Sequence, residues 1–227
     1  MSPLCVGSDL AISLRGPAAL TGIVGLKATH ERVPYTGHFP RYLSRYWHIG
    51  PMAARNDPEI VAAIKTAADY LSDLGCMVEP VRIPFLENID WPVNGLTIYN
   101  GEMMPQVREW VGDRVGELHP IGQFLSSFPD PSLAEFREAQ ANAEQLKSAL
   151  ATYFQQYDVL LYPVLPMTAQ VHGQQEYEVC GQKVPVIHNL RITIPFNLTG
   201  NPGLSVPYRF SSQGLPINVQ LVSGVVR

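Results

Sequence analysis

The stretch Gly7-Ser8-Asp9-Leu10-Ala11-Ile12-Ser13-Leu14-Arg15-Gly16-Pro17-Ala18-Ala19 has the residue types and spacing to do chemistry. A serine in a tight loop, after a short apolar run and before a helix, can be held with its hydroxyl exposed. Backbone N–H groups of the same turn can converge on one point and stabilise an oxyanion, so the chemistry on offer is nucleophilic attack on a carbonyl. Asp9 and Arg15 bracket the loop and could pair across it, fixing its shape. One serine without an identified base is weak evidence, and on these residues alone an ordinary strand-to-helix loop with a local Asp–Arg pair is the stronger reading.

Candidates for a base are scattered. Lys27 follows the loop in sequence, Lys65 and Lys147 fall on predicted helices, and Lys183 falls in a Gly-Gln-Lys turn. His30, His38, His48, His119, His172 and His188 could titrate near neutral pH. His38 and His48 stand among Tyr35, Phe39, Tyr42, Tyr46 and Trp47, a cluster that could line an acyl pocket or simply pack under a loop. No histidine has an acidic residue at a spacing that identifies a triad.

The serine loop resembles the amidase-signature motif, commonly Gly-Thr/Ser-Asp-x-Gly-Gly-Ser-Ile/Leu-Arg-x-Pro-Ala. Gly22-Ile23-Val24-Gly25-Leu26-Lys27-Ala28-Thr29-His30 with Arg32-Val33-Pro34 is similar to the segment that follows in that family, and His48-Ile49-Gly50-Pro51-Met52-Ala53 to its Gly-Pro-Met-Ala-Arg segment. Asp158-Val159-Leu160-Leu161-Tyr162-Pro163, Pro195-Phe196-Asn197-Leu198-Thr199-Gly200-Asn201-Pro202 and Gly214-Leu215-Pro216-Ile217-Asn218-Val219-Gln220-Leu221-Val222 resemble later motifs, in order along nearly the whole chain.

The resemblance implies a hydrolase that cleaves a small amide or ester through a Ser–cis-Ser–Lys mechanism and an acyl-enzyme. Ser13 takes the nucleophile's place, the backbone N–H groups around Leu10, Ala11, Ile12 and Ser13 serve as the oxyanion hole, and Asp9 and Arg15 shape the loop. The family's bridging serine and lysine precede the nucleophile and fall ahead of Met1. The chain is therefore expected to be truncated at both ends and to lack a general base worth ~10²–10⁴-fold in rate. Ala11-Ile12 replaces the usual Gly-Gly, putting side chains where glycine is the more permissive residue. The alternative is a catalytically inactive amidase fragment that binds a small molecule or a protein. No metal or organic cofactor is implied.

The elements that must position this loop are short. Leu4 to Val6 and Ile23 to Leu26 read as strands on either side of it, and Pro17 suits the first turn of a short helix. Asp57-Pro58-Glu59 is a helix start, followed by Ile60, Ile64, Ala67, Ala68, Leu71 and Leu74 at helical spacing and by Gly75 as a stop. Met77 to Ile83 reads as an edge strand because Pro80 cannot donate to a ladder. Ala134 to Gln156 is a helix with a stripe of Phe136, Ala139, Ala143, Leu146, Leu150 and Tyr153. Asp158 to Tyr162, Leu204 to Pro207 and Ile217 to Val222 read as strands, the last two joined by a Ser-Ser-Gln-Gly turn. The pattern predicts an α/β protein with a mixed sheet covered by helices, and the resemblance implies that this is a partial amidase-signature fold. One truncated domain over 1–227 is expected, with 84–131 as a peripheral helical cap.

Composition bounds the partners. Charged residues make up 16% and hydrophobic ones 46% of 227 residues, a globular balance. A net charge of -4 gives no electrostatic reason to expect nucleic acid or an anionic membrane. No apolar run approaches the ~20 residues of a membrane span, and no secretion signal is evident, so a cytoplasmic protein is expected. Cys5, Cys76 and Cys180 have neither disulfide nor zinc spacing and read as buried small hydrophobes. Partners are then a small amide or ester substrate and, through the surface left by truncation, a second copy of the chain.

Overall fold

The computed structural model describes residues 6–30, 32–33, 57–171, 173–174, 176–179 and 181–225. In chain order, α1 (Arg15–Thr21) leads to β1 (Gly25–Lys27), α2 (Pro58–Asp73), α3 (Pro84–Glu87), α4 (Trp91–Glu102), α5 (Met104–Val111), α6 (Pro120–Ser126) and α7 (Leu133–Tyr153). Then come β2 (Val159–Pro163), β3 (Glu176–Val179), β4 (Gln182–Pro185), α8 (Pro195–Thr199), β5 (Gly203–Phe210) and β6 (Pro216–Ser223).

The protein is α/β, with helices covering a four-stranded sheet of order β1-β5-β6-β2. Every pairing among the described strands is antiparallel. For β5 and β6 the reason is local: they are joined by a short turn in which the Ser211 N–H donates to the Leu215 carbonyl and the Gly214 N–H to the Ser211 carbonyl, with Gly214 at φ +75°, whereas a parallel neighbour needs a crossover of a dozen or more residues. The register places Lys27 opposite Gly203, and Ser205 opposite Gln220.

Local chemistry explains the helix limits. Asp57 accepts the Glu59 N–H at the start of α2 with Pro58 in the first turn, and Gly75 beyond its end sits at φ +92°. The buried face of α2 is Ile60, Ala63 and Ala67, while Leu74 is exposed. α7 begins in a reciprocal capping box between Ser132 and Glu135. Its buried residues are Ala139, Ala143, Leu146 and Leu150, and Phe136 and Tyr153 pack half-buried at either end of the stripe.

One apolar cluster unites Trp91, Ile98 and Tyr99 of α4 with Leu146 and Leu150 of α7, Phe196 and Leu198 of α8, Leu160 of β2 and Val222 of β6. Part of segment 84–131 is therefore core rather than peripheral cap. α4 shows no apolar stripe because it is enclosed on several sides, with Trp91, Pro92, Asn94, Gly95, Ile98, Tyr99 and Asn100 all buried. Asn94 is satisfied there, donating to the Ala139 carbonyl at 3.0 Å and accepting from Asn142 at 2.9 Å.

Other expectations shift. Residues 77–83 form no strand: Pro80 interrupts any ladder, and only Val81 and Ile83 reach the core. Val6 is exposed and outside any strand, and β1 starts at Gly25 rather than Ile23. Cys76 is exposed rather than buried, since it follows the last turn of α2 at the surface. The β3–β4 hairpin was not anticipated; alternation across Glu176–Val179 and Gly181 at φ +76° were its signals. Leu4, Cys5, Cys180, His172 and the aromatic and histidine cluster from Tyr35 to His48 lie outside the described residues.

Candidate active site

Ser13 stands exposed in the turn that enters α1. A helix leaves its first N–H groups without intrahelical partners, and Leu14, at the N-cap, has no side chain to cap them. Asp9 does it from outside. Its Oδ2 accepts from the N–H of Leu14 at 2.9 Å and of Arg15 at 3.3 Å. The same oxygen is 3.5 Å from Arg15 Nε, with both side chains buried.

Three further groups hold this pair. Arg15 Nη1 donates to Gln220 Oε1 at 2.9 Å and Nη2 to the Thr193 carbonyl at 3.4 Å. Gln220 in turn donates from Nε2 to the Pro163 carbonyl at 2.8 Å, tying α1 to β6 and β2. Asn197 of α8 donates to the Asp9 carbonyl at 3.0 Å, and Tyr99 of α4 donates its hydroxyl to the Leu10 carbonyl at 2.8 Å. Burial pulls the Arg15 guanidinium down to about 10 while Asp9 holds it up, so it remains charged at neutral pH. Burial, and after it Asp9, pushes the Tyr99 phenol far up, so it remains a donor.

The loop's carbonyls are engaged: Leu10 by Tyr99, Ile12 by the Gly16 N–H at 2.7 Å and Leu14 by the Ala18 N–H at 3.2 Å. No backbone N–H of Leu10, Ala11, Ile12 or Ser13 donates to a partner among the described residues. Leu10 and Ala11 pack half-buried on the main core, and Ile12 packs on Ala19, Val164 and Leu165. Ile12 also fills the space above Gly16, where an added Cβ would lie 2.6 Å from Ile12 Cγ1. Gly16→Ala is expected to force these residues apart at about 1–3 kcal/mol, read as a lower denaturation midpoint.

Among the described residues, nothing hydrogen-bonds Ser13 Oγ, and no group of three or more His, Cys, Asp or Glu could hold a metal ion. Lys65 and Lys183 are exposed, Lys147 and His30 half-buried, and Lys27 buried beneath α1. His119 and His188 make contacts of their own, and His38 and His48 lie outside the described residues. No described helix is long and apolar enough to cross a membrane. Sequence reasoning gave no role to Tyr99, which came from a segment without periodicity, nor to Thr193, Asn197 and Gln220, although the last two stood inside quoted motifs.

The family described as Amidase matches residues 1–57 and 54–226. The glutamyl-tRNA(Gln) amidotransferase subunit of Synechococcus sp. (strain RCC307) is 26% identical over 302 aligned positions, covering 99% of this chain and 61% of that protein. Its counterpart in Thermosynechococcus vestitus is 27% identical, with coverage of 98% and 61%. The chain thus spans about 60% of the length of these curated relatives. Among solved structures, an amidase superposes with a TM-score of 0.83 at 22% identity, covering 96% of this chain and 58% of that one. A bacterial aryl acylamidase of the amidase signature family gives 0.78 at 17%, with the same coverage. At these identities the superpositions speak for the fold.

Proposed function

This chain belongs to the amidase family, and on that premise we propose that it is a serine hydrolase cleaving a small amide or ester through an acyl-enzyme on Ser13. The observation that carries the reading is the loop itself. An exposed serine follows three residues whose carbonyls are partly tied down, and the N–H groups from Leu10 to Ser13 are left without partners among the described residues. Unpaired N–H groups held by a rigid frame are what a developing oxyanion needs. The family's relatives include an aryl acylamidase and proteins named as part of an amidotransferase, which supports an amide or ester as the substrate class.

In this mechanism Ser13 Oγ adds to the carbonyl carbon and its proton passes to a base. The carbonyl oxygen takes up charge against the N–H groups of Leu10, Ala11, Ile12 and Ser13. The tetrahedral species then expels the amine or alcohol, which leaves with a proton, and water hydrolyses the acyl-serine. Asp9 and Arg15 shape the loop and do not touch the substrate. The described residues place no base on Ser13, so an activated ester with solvent base is the substrate within reach, slower by about 10²–10⁴-fold than with a positioned base.

The test is to mix the protein with a short-chain p-nitrophenyl ester, quench in acid and weigh it. The expected result is an increment equal to the acyl group, found in the proteolytic peptide that contains Ser13. Release of p-nitrophenol without acyl on Ser13, or no release by folded protein, would overturn the reading.

A second reading is a catalytically silent module of the family that binds another copy of the chain. Leu20, Ile23, Val24 and Leu26 favour it, since they stand exposed along the end of α1, the link after it and β1, which is at the edge of the sheet among the described residues. A protein that sediments as a dimer and gives no acyl adduct would establish it over the first.

A further inference from the structure

Lys27 is a second basic side chain under the serine loop. Gly25 and Lys27 are the buried residues of β1, with the exposed Leu26 between them, so they face the same layer. A Cβ at Gly25 would lie 2.7 Å from Ala18 Cβ and 3.0 Å from the Leu14 carbonyl oxygen, which sets that face of β1 directly against α1 and the loop's end. Lys27 pairs with Gly203, where a Cβ would stand 3.4 Å from Arg15 Cδ and Nη1. Lys27 and Arg15 thus share one small patch of sheet.

The charged groups acting on Lys27 are Arg15 from α1 and Asp9 from the loop; Tyr99 of α4 is coupled to both and stays protonated. Lys27 is 2% exposed and its Nζ has no hydrogen-bond partner among the described residues, and Asp9 Oδ1 is likewise buried without one. An ammonium at this place would set two buried cations against one carboxylate, repelling Arg15 and pulling on the free oxygen of Asp9. An amine without charge does neither.

We propose that Lys27 is a positioning residue of the serine loop: uncharged, it leaves Asp9 to hold the Leu14 and Arg15 amides, and on taking up a proton it draws Asp9 away and loosens the turn that carries Ser13. Its effect on reactivity rests on Ser13 being the nucleophile; its effect on the loop does not. Burial, and after it Arg15, holds Lys27 well below the ordinary lysine range, with Asp9 opposing.

The experiment is a pH titration of protein labelled at the lysine ε-carbons, followed by NMR together with the backbone amides of Leu14 and Arg15. Lys27 should titrate well below the ordinary lysine range, the two amides should shift with the same midpoint, and Lys27→Met should remove the amide step. Lys27 titrating in the ordinary lysine range, amides that do not follow it, or a step that survives in Lys27→Met overturns the proposal. If Lys27→Met does not fold, the coincidence of midpoints in the wild type decides alone. Fluorophosphonate labelling of Ser13 should fall about tenfold per pH unit below the midpoint, as for a single protonation; labelling that stays flat through a shared midpoint also overturns the positioning role. Coincident midpoints with no labelling at any pH uphold the loop device and reject the hydrolase reading instead.

Discussion

Wild-type protein treated with a fluorophosphonate is expected to gain the mass of one phosphonyl group, and Ser13→Ala is expected to gain none. The probe reports an activated serine, because an ordinary hydroxyl does not displace its leaving group. Ser8 provides the internal comparison. It is exposed on the same loop but precedes Asp9 in sequence, ahead of the unpaired N–H groups of Leu10 to Ser13, so Ser8→Ala should label like the wild type. Ser13 makes no hydrogen bond among the described residues, and substitutions at such surface positions usually stay within about 0.5 kcal/mol. Loss of the adduct in Ser13→Ala therefore reports chemistry rather than unfolding. A folded wild type that takes no label would move the assignment to the binding module.

Arg15→Met should be the most damaging single change in stability. It removes the partner of Asp9, buries a carboxylate without its counter-charge, and strands Gln220 Oε1 and the Thr193 carbonyl. Breaking a buried pair from one side costs about 3–5 kcal/mol. For a domain of this size that is a fall in melting temperature of about 6–20 °C. Asp9→Asn combined with Arg15→Met should be less destabilised than the sum of the single changes, because the orphaned charge is gone. A melting temperature within two degrees of wild type for Arg15→Met would mean that the guanidinium is not held as described.

The sequence was most legible where a residue's partner is local. The start of α2 could be read from Asp57-Pro58, its end from Gly75, and α7 from its stripe, since caps and periodicity act over one or two turns. The β5–β6 hairpin was legible from its Ser-Ser-Gln-Gly turn. Residues 77–83 were misread because β propensity says nothing about whether a neighbouring strand exists to pair with. α4 escaped notice because a helix buried on several sides has no polar face to set the period. The family motifs marked Ser13, Asp9 and Arg15 together. Tyr99 reaches Leu10 across 89 residues of sequence, and nothing in the spacing of either residue points to the other.

The braces of the serine loop come from far along the chain. Tyr99, Thr193, Asn197 and Gln220 meet Leu10, Arg15, Asp9 and Arg15 across separations of 89, 178, 188 and 205 residues. Contacts of such range form late in folding, after the loops between them have closed. On the ribosome, at about 5–20 residues per second, Ser13 would wait about 10–40 s for the strand that carries Gln220. Until then Arg15 and Asp9 have no frame to lock into. In a nascent chain the loop that carries Ser13 is therefore unfinished until β6 is in place.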